Sequence, residues 1–300
     1  LPKLRYGENP HQKAALYATI PTEGVLSAEV LWGKALSYND ILDLDAAIYG
    51  VTEFDDTACV IIKHLSPCGV AIGKDTTDAY KKALASDSMS AFGGIVALNQ
   101  PIGEEVATLI NKRFYNCVIA PDYTTEALEI LKRKKNIRIL RLPNLREKCQ
   151  YSVRTVSGGL LLQEIDNPEL IVEKWDIVTK IEPTIEQKKE LIFAMKAAKI
   201  VKSNTVLITR NGATVGIGGG LTSSLVRATF VNRQAADRAE GSVAASDAYF
   251  PFPDALCILA HAGVKAIIQP GGSRNDKKVI KAADDLGVAM VFCGTRHFRH

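Results

Sequence analysis

The chain contains no C-x-x-C pair, no long apolar run and few aromatic residues, which make up 7% of it. Without paired cysteines a structural zinc site is not expected. No run is long enough to form a membrane-spanning helix, and the first residues form no signal-peptide core. The chain starts at Leu1 rather than Met, as a fragment or a processed form would. Thiols without disulfide-like spacing favour a reducing compartment, so we expect a cytoplasmic protein. The six cysteines are Cys59, Cys68, Cys117, Cys149, Cys257 and Cys293.

The charge of the chain is mild and dispersed, with a formal net value of +4. The densest basic cluster, residues 132–135, stands at the end of a predicted helix, where cations are favourable. No basic stripe is interleaved with aromatics, so binding to nucleic acid is not expected, and nor is binding to a membrane. A mild positive balance suits small anionic substrates.

Apolar runs and helical patterns alternate along the chain and predict an α/β fold with largely parallel strand pairing in each half. Thr184 and Gln187 form a capping-box pattern that opens a long helix, and Asn211-Gly212 predicts a hairpin. We expect two units, residues 1–150 and 151–300, whose similar element order leaves a duplication open. The predicted strands are 58–62, 94–98, 137–142, 205–208, 214–217, 264–268 and 288–292. The predicted helices are 76–87, 106–114, 124–133, 184–201, one from 254 and 277–286.

Lys63 and His64 follow a buried strand and precede a Pro/Gly segment, 65–69, that predicts a turn. α/β folds place reactive groups at strand ends, and histidine can move a proton near neutral pH. Taken alone this signal is weak, and a strand-end lysine beside a hydrogen-bonded core histidine explains the pair better.

Three further segments could bind ligands. The glycine-rich segments 216–220 and 270–273 expose backbone N–H groups that can cradle an anion, although plain tight turns explain them too. Residues 247–254 combine three aromatics, two prolines and two acids, and could enclose a flat heterocycle or plug the core. Both ends of the chain carry arginines, which bind phosphate and carboxylate groups well.

Together these motifs carry a resemblance that no single one of them carries. They occur in the same order, over essentially the whole chain, as in the AICAR (aminoimidazole-carboxamide ribotide) formyltransferase family of purine biosynthesis. In the bifunctional members of that family, a cyclohydrolase domain precedes the segment that starts here. The motifs are Arg5-Tyr6-Gly7-Glu8-Asn9-Pro10-His11-Gln12, Lys63-His64-x-Ser66-Pro67-Cys68-Gly69, Ser90-Ala91-Phe92-Gly93-Gly94, Lys202-Ser203-Asn204, Gly212-Ala213-Thr214-Val215-Gly216-Ile217-Gly218, Ser246-Asp247-Ala248-Tyr249-Phe250-Pro251-Phe252, Gln269-Pro270-Gly271-Gly272-Ser273 and Arg296-His297-Phe298-Arg299-His300.

The resemblance implies two tandem cytidine-deaminase-like α/β units without the deaminase zinc. It also implies a homodimer with shared active sites, and formyl transfer from 10-formyltetrahydrofolate to the 5-amino group of AICAR.

The resemblance further implies a role for individual residues. His64 would be the general base, Lys63 would stabilise the oxyanion or protonate the departing folate nitrogen, and Asn204 would orient the formyl group or the carboxamide. A monovalent cation of the K⁺ type would lie near Ser203 and Asp247. The implied substrate-binding residues are Arg5, Tyr6, Asn39, Phe92, Gly93, Asn116 and Arg296. The implied folate-binding residues are Tyr249, Phe252, Asp254, Gly271, Gly272 and Ser273.

The chain departs from the family pattern after the glycine-rich segment 216–220. Leu221 and Ser224 stand where the family typically has Gln and Arg, and an arginine follows three positions later, at Arg227. Asn116 stands where an acidic residue is common in the family. Arg227 could substitute for the missing cation, or ligands could bind more weakly. The departures keep open a pseudoenzyme that binds folate or nucleotide, or a domain that mainly dimerises. A zinc deaminase is a third interpretation, but the chain lacks the His-x-Glu and paired cysteines which that chemistry needs.

Overall fold

The computed structural model describes residues 4–146, 150–167 and 170–300. Within these residues twelve strands form one mixed sheet, in the order β1-β6-β5-β4-β2-β3-β11-β10-β12-β13-β14-β9, and two more strands form a separate hairpin, β7-β8. Cys149 lies outside the described residues. No described helix is long and apolar enough to span a bilayer. The α/β class predicted from the sequence is confirmed. The largely parallel pairing predicted within each half is wrong, because the hairpins and the short outer strands make three of the five described pairings in each half antiparallel.

The strands are short and mostly apolar, and several helices begin with a polar capping residue. The strands of the first half are β1 (Glu29–Trp32), β2 (Ala58–Lys63), β3 (Ser66–Ile72), β4 (Ile95–Leu98), β5 (Cys117–Ala120) and β6 (Arg138–Arg141). Those that follow are β7 (Tyr151–Val156), β8 (Gly159–Glu164), β9 (Asp176–Ile177), β10 (Val206–Arg210), β11 (Ala213–Gly218), β12 (Val243–Ser246), β13 (Ala266–Gln269) and β14 (Ala289–Phe292). The helices are α1 (Tyr38–Val51), α2 (Thr76–Ser86), α3 (Glu104–Asn111), α4 (Thr125–Lys132), α5 (Ile185–Ile200), α6 (Ser224–Ala235), α7 (Asp254–His261) and α8 (Asp276–Asp285).

The two halves of the sheet repeat one element order in opposite directions. Each half has a helix, an antiparallel hairpin (β2-β3 or β10-β11) and three parallel strands (β4-β5-β6 or β12-β13-β14) connected through helices. β3 and β11 join the halves antiparallel, with Ala71 opposite Ala213. The division of the chain into two domains at residue 150 stays a prediction.

Helices cover both faces of the sheet, which makes three layers. Residues of α1 and α5 pack with alternate strand residues on one face, in a core that crosses both halves. On the other face, α2 to α4 cover the first half and α6 to α8 the second, each with its own apolar cluster. The core shared by α1 and α5 makes the two halves one packed body.

Several of the local sequence predictions are confirmed. Thr184 and Gln187 form a complete capping box on α5. Asn211 and Gly212, with φ of 55° and 68°, form the turn of the β10-β11 hairpin.

Two local predictions are wrong. Residues 66–69 form the start of β3 rather than a turn, because a register shift beside Ile61 and Ile62 accommodates Pro67 opposite Ile62. Phe114 lies beyond the end of α3 and packs instead on Phe92, with ring centroids 5.3 Å apart.

Candidate active site

The turn between β2 and β3 consists of His64 and Leu65, both in the left-handed region with φ of 53° and 61°. Such φ values are unfavourable for residues other than glycine. The carboxylate of Asp43 on α1 accepts hydrogen bonds from both turn amides, at 3.2 Å from His64 N and 2.7 Å from Leu65 N. Asp43 therefore fixes the backbone that carries His64, whose side chain is exposed to solvent.

A cavity of about 420 Å³ lies beside this turn and is lined by both halves of the sheet. The first half contributes Lys63, His64, Ser66, Pro67, Cys68, Asp87 and Ser90. The second half contributes Ile217, Phe230 and Gln234. The size of the cavity is within the range of small-molecule sites, and it combines a basic pair with apolar walls.

Hydrogen bonds tie the cavity wall to a second predicted motif. Lys63 Nζ donates to the carbonyl oxygen of Phe92 at 2.8 Å, which joins the basic pair to the Phe92-Gly93 segment. Asp87 accepts from the backbone N and the Oγ of Ser90, at 2.9 and 2.7 Å. Gln234 Nε2 donates to Asp87 at 3.2 Å and so links the two halves across the cavity.

Asn204 lies on the loop before β10, and its neighbours are held by Asp247. This carboxylate is fully buried and accepts from Ser203 Oγ at 2.5 Å and from Thr205 N at 2.7 Å. The pKa of Asp247 is raised above its ordinary value, because burial is the largest influence on it. The hydrogen bonds from Ser203 and Thr205 and the charge of Arg227 act in the opposite direction. Both sides of Asn204 are thus anchored.

The predicted folate-binding segments lie at the ends of β12 and β13, which are adjacent and parallel. Tyr249 and Phe252 are 47% and 60% exposed, so their rings are available to a ligand. Asn275 Nδ2 donates to the carbonyl of Pro251 at 2.8 Å and ties this aromatic loop to the glycine loop. Asp254 is the first residue of α7, directly after the aromatic loop. Gly271, Gly272 and Ser273 are on the glycine loop, where Gly272 N donates to Asp276 Oδ2 at 2.8 Å.

The remaining predicted residues are spread over several elements. Asn39, in the first turn of α1, donates from Nδ2 to the carbonyl of Glu8 at 3.2 Å, which brings in the N-terminal segment that contains Arg5 and Tyr6. The guanidinium groups of Arg5 and Arg296 are exposed and lie 5.7 Å and 4.2 Å from the rings of Tyr6 and Phe298. Asn116 lies just before β5, and its backbone N donates to Gly94 at 2.9 Å.

The topology collects most of these segments along one edge of the sheet. β2 and β11 end at this edge and β10 begins there, opposite the last residues of β11 and β12. The strands β12, β13 and β14 also end there, and β4, β5 and β6 begin there. We call it the site edge.

Sequence reasoning missed Asp43, Asp87 and Gln234. Asp87-x-x-Ser90 is a recognisable polar turn pattern, but Asp43 and Gln234 stand inside helices, where nothing in the sequence distinguishes them from surface residues. Arg227, a candidate substitute for the family's ligand-binding arginine, is buried to 6% exposure, and its Nη1 donates to the Leu221 carbonyl.

Fold and site define the class of protein as an α/β protein with a basic pair at a cavity between two repeated halves. The chain matches the model of the family described as AICARFT/IMPCHase bienzyme over residues 2–233, and it belongs to that family.

Curated relatives of the chain are bifunctional purine biosynthesis proteins PurH. The protein of Thermoanaerobacter sp. is 50% identical over 298 residues, which are 99% of this chain and 58% of that protein. Those of Gloeothece citriformis and Rippkaea orientalis are 48% and 47% identical, over 100% and 99% of this chain and 59% and 58% of those proteins. The chain therefore spans somewhat less than three fifths of the length of these relatives.

Proposed function

We propose that the chain is an AICAR formyltransferase, which transfers a formyl group from 10-formyltetrahydrofolate to the 5-amino group of AICAR in purine biosynthesis. The observation that carries the proposal is the Lys63-His64 pair at the wall of a cavity, with His64 on a turn that Asp43 holds, in a member of this family. The cyclohydrolase activity of bifunctional relatives is not part of the proposal.

The reaction needs a base because an aromatic amine conjugated to a carboxamide is a poor nucleophile. His64 takes the proton of the 5-amino group as its nitrogen attacks the formyl carbon, a contribution of roughly 10²–10⁴ in rate. Lys63 stabilises the oxyanion of the tetrahedral intermediate, or donates a proton to the folate nitrogen as its bond to the formyl carbon breaks. Asn204 orients the formyl group or the carboxamide.

Binding energy from parts of the substrates remote from the reacting atoms would align them. Arg5 and Arg296, with Tyr6, hold the ribotide phosphate, and Asn39, Phe92, Gly93 and Asn116 line the nucleotide site. The exposed rings of Tyr249 and Phe252 receive the pterin, with Asp254 and the loop of Gly271, Gly272 and Ser273 beside them.

We further propose that the two halves are cytidine-deaminase-like units that lack the deaminase zinc. The repeated order of helix, hairpin and three parallel strands supports this interpretation. A cytoplasmic location is part of the same proposal, in keeping with a purine-biosynthesis enzyme.

A homodimer is the proposed assembly, and the β7-β8 hairpin supports it. An isolated two-stranded hairpin is only marginally stable in water. A large exposed apolar patch is typical of a surface that binds another protein. Six large apolar side chains of this hairpin are 43–67% exposed: Tyr151, Val153, Val156, Leu160, Leu161 and Leu162. Sedimentation equilibrium should give a dimer, and Leu161→Asp should shift it toward monomer. A monomeric parent would contradict this part of the proposal.

The enzymatic proposal is tested by a spectroscopic assay of formyl transfer with AICAR and 10-formyltetrahydrofolate. Turnover that needs both substrates is the expected result. Calorimetric binding of either substrate without turnover would instead indicate a pseudoenzyme, the alternative that Leu221, Ser224 and Asn116 keep open. Binding of neither substrate would overturn the proposal.

A further inference from the structure

Arg238 lies directly after α6, in a short 3₁₀ helix, Ala236–Ala239, and its guanidinium contacts both halves of the sheet. We infer that Arg238 is a positioning residue of the cavity beside His64, because it fixes the backbone of the two segments that carry Asp87 and Gln234. The inference rests on the proposed function only where turnover is the quantity measured.

The guanidinium of Arg238 donates hydrogen bonds to backbone carbonyl groups of three segments. Its planar fork of donors suits several acceptors at once. The acceptors, with their distances from the donor nitrogen, are Ala85 O (2.5 Å) and Ser86 O (3.4 Å) at the end of α2, Gln234 O (2.7 Å) and Ala235 O (3.2 Å) at the end of α6, and Val215 O (3.0 Å) in β11. One side chain thus joins the first half, through α2, to the second half, through α6 and β11.

The positive charge of Arg238 suits a place where two helices end. The last carbonyl groups of a helix have no partner within the helix, and they form the negative end of its dipole. Because one guanidinium reaches the ends of both α2 and α6, these ends lie close together with the same partial charge. Without Arg238 the two ends would repel each other, so the side chain holds them in contact.

The segments that Arg238 holds carry the polar wall of the cavity. Asp87 directly follows α2, and Gln234 is in the last turn of α6. Gln234 Nε2 donates to Asp87 Oδ2 at 3.2 Å, and Gln234 Oε1 accepts from Ile217 N at 2.7 Å. All three residues line the cavity. Arg238 therefore fixes the backbone on which this bridge between the halves is built.

The two halves supply different reacting groups in the proposed function, so their relative placement matters for turnover. Lys63 and His64 belong to the first half, whereas Asn204 and the loops after β12 and β13 belong to the second. A misplacement of about 1 Å between reacting groups can cost roughly 10²-fold in rate. Loss of Arg238 should therefore lower kcat. Binding of the folate, which the proposed function assigns to loops of the second half, should change little.

The experiment compares Arg238→Ala with Arg238→Lys, and uses Arg233→Ala, at an exposed position of α6, as the matched control. The kcat of formyl transfer, the calorimetric Kd of 10-formyltetrahydrofolate and the melting temperature are measured for each variant. The measurements are repeated with methylguanidinium chloride, which can refill the site that alanine leaves, and with tetramethylammonium chloride as the salt control. Hydrogen–deuterium exchange is followed in segments 87–92 and 213–218, where cavity residues accept hydrogen bonds from backbone amides.

We expect Arg238→Ala to melt roughly 5 °C below the parent. Its kcat should fall about tenfold while the Kd of the folate stays within about threefold, and both segments should exchange faster. Methylguanidinium, but not tetramethylammonium, should restore part of the lost kcat, because it can donate to the same carbonyl groups. Arg238→Lys keeps the charge but not the fork of donors, so its kcat should lie between those of the parent and Arg238→Ala. Arg233→Ala should match the parent in every measurement.

Three results would overturn the inference. Arg238→Ala could lose stability with kcat unchanged, its two segments could exchange as in the parent, or methylguanidinium could restore none of its kcat. If Arg238→Ala does not fold, Arg238→Lys decides: a lowered kcat with an unchanged folate Kd supports the inference, and an unchanged kcat overturns it. If the parent shows no turnover, the proposed function fails. Faster exchange in the two segments of Arg238→Ala then still supports the positioning role, and unchanged exchange overturns it.

Discussion

The two hairpin turns of the repeated halves occupy equivalent places but differ in sequence. Asn211-Gly212 connects β10 and β11 at the opposite edge of the sheet, and His64-Leu65 connects β2 and β3 at the site edge. All four residues have positive φ, between 53° and 68°. A carboxylate from the helix before the hairpin accepts amide hydrogen bonds from each turn: Asp43 on α1, and Glu190 on α5, at 2.9 Å from Gly212 N.

The two turns have the same backbone conformation, but their residues differ in how well they tolerate it. Asn-Gly is the favoured pair for such a turn because both residues tolerate the left-handed region. His-Leu is unfavourable there, and strain of this kind concentrates at functional sites. One carboxylate accepts from a single amide at the Asn-Gly turn, whereas Asp43 accepts from both amides at the His-Leu turn. An unfavourable turn at this point is what we expect if His64 has the catalytic role proposed for it.

Replacing His64 should have the largest effect. His64→Ala should lower the kcat of formyl transfer by roughly two to four orders of magnitude, because a general base is lost. The melting temperature should stay close to that of the parent, since the His64 side chain is exposed. His261→Ala, at another exposed histidine, is the control. If kcat of His64→Ala stays within about threefold of the parent, the turn has no catalytic role.

Replacing the two carboxylates that hold the turns should affect stability in both cases but turnover in only one. Asp43→Ala removes the acceptor of two backbone amides and should cost about 1–3 kcal/mol of stability, with kcat lowered at least about tenfold as His64 loses its fixed position. Glu190→Ala removes the equivalent acceptor at the other turn and should cost stability alone. Denaturant unfolding and steady-state kinetics measure both quantities. Equal kcat values for the two variants would remove the distinction between the turns.

The Asn-Gly turn should be sensitive to substitution in stability but not in turnover. Gly212→Ala places a Cβ at φ 68° and only 2.6 Å from Ile72 Cγ1, so we expect a loss of about 2–3 kcal/mol. Gly241→Ala, at φ 73° with nothing within 4 Å, should lose only about 1 kcal/mol, the cost of the backbone conformation. Chemical denaturation gives both values. If Gly212→Ala loses no more stability than Gly241→Ala, the Ile72 side chain moves aside without a cost in free energy.

The fold was predictable where local chemistry decides it. The capping box of Thr184 and the Asn211-Gly212 turn follow from short patterns, and the buried strands follow from apolar runs. The start of β3 was not predictable, because Pro67 and Gly69 favour a turn locally. Tertiary packing overrides them: a Cβ on Gly69 would lie 1.8 Å from Ala83 O, so the glycine permits α2 to pack closely on the strand.

The candidate site was predictable only in its separate motifs. The arrangement of Lys63, Asn204 and the loops after β12 and β13 along one edge depends on the opposite direction of the two halves, which no local pattern reveals. Asp43 and Gln234 act through contacts between residues 21 and 147 positions apart in the chain. A single sequence carries no signal for such contacts.

Replacing Cys68 should have the smallest effect. Cys68 lines the same cavity as His64, so its thiol is a candidate nucleophile there. Burial, the largest influence, raises its pKa to about 12, with the charges of Asp87 and Asp43 acting in the same direction and Lys63 opposing them. The thiolate is the reactive form of cysteine, so Cys68 should be inert at neutral pH. Peptide mapping after iodoacetamide treatment of the native protein should find Cys257, which is half-buried, modified before Cys68. Cys68→Ser should keep kcat within about threefold of the parent. Rapid alkylation of Cys68 at pH 7, together with loss of turnover, would indicate that the thiol of Cys68, rather than His64, is the reactive group of this cavity.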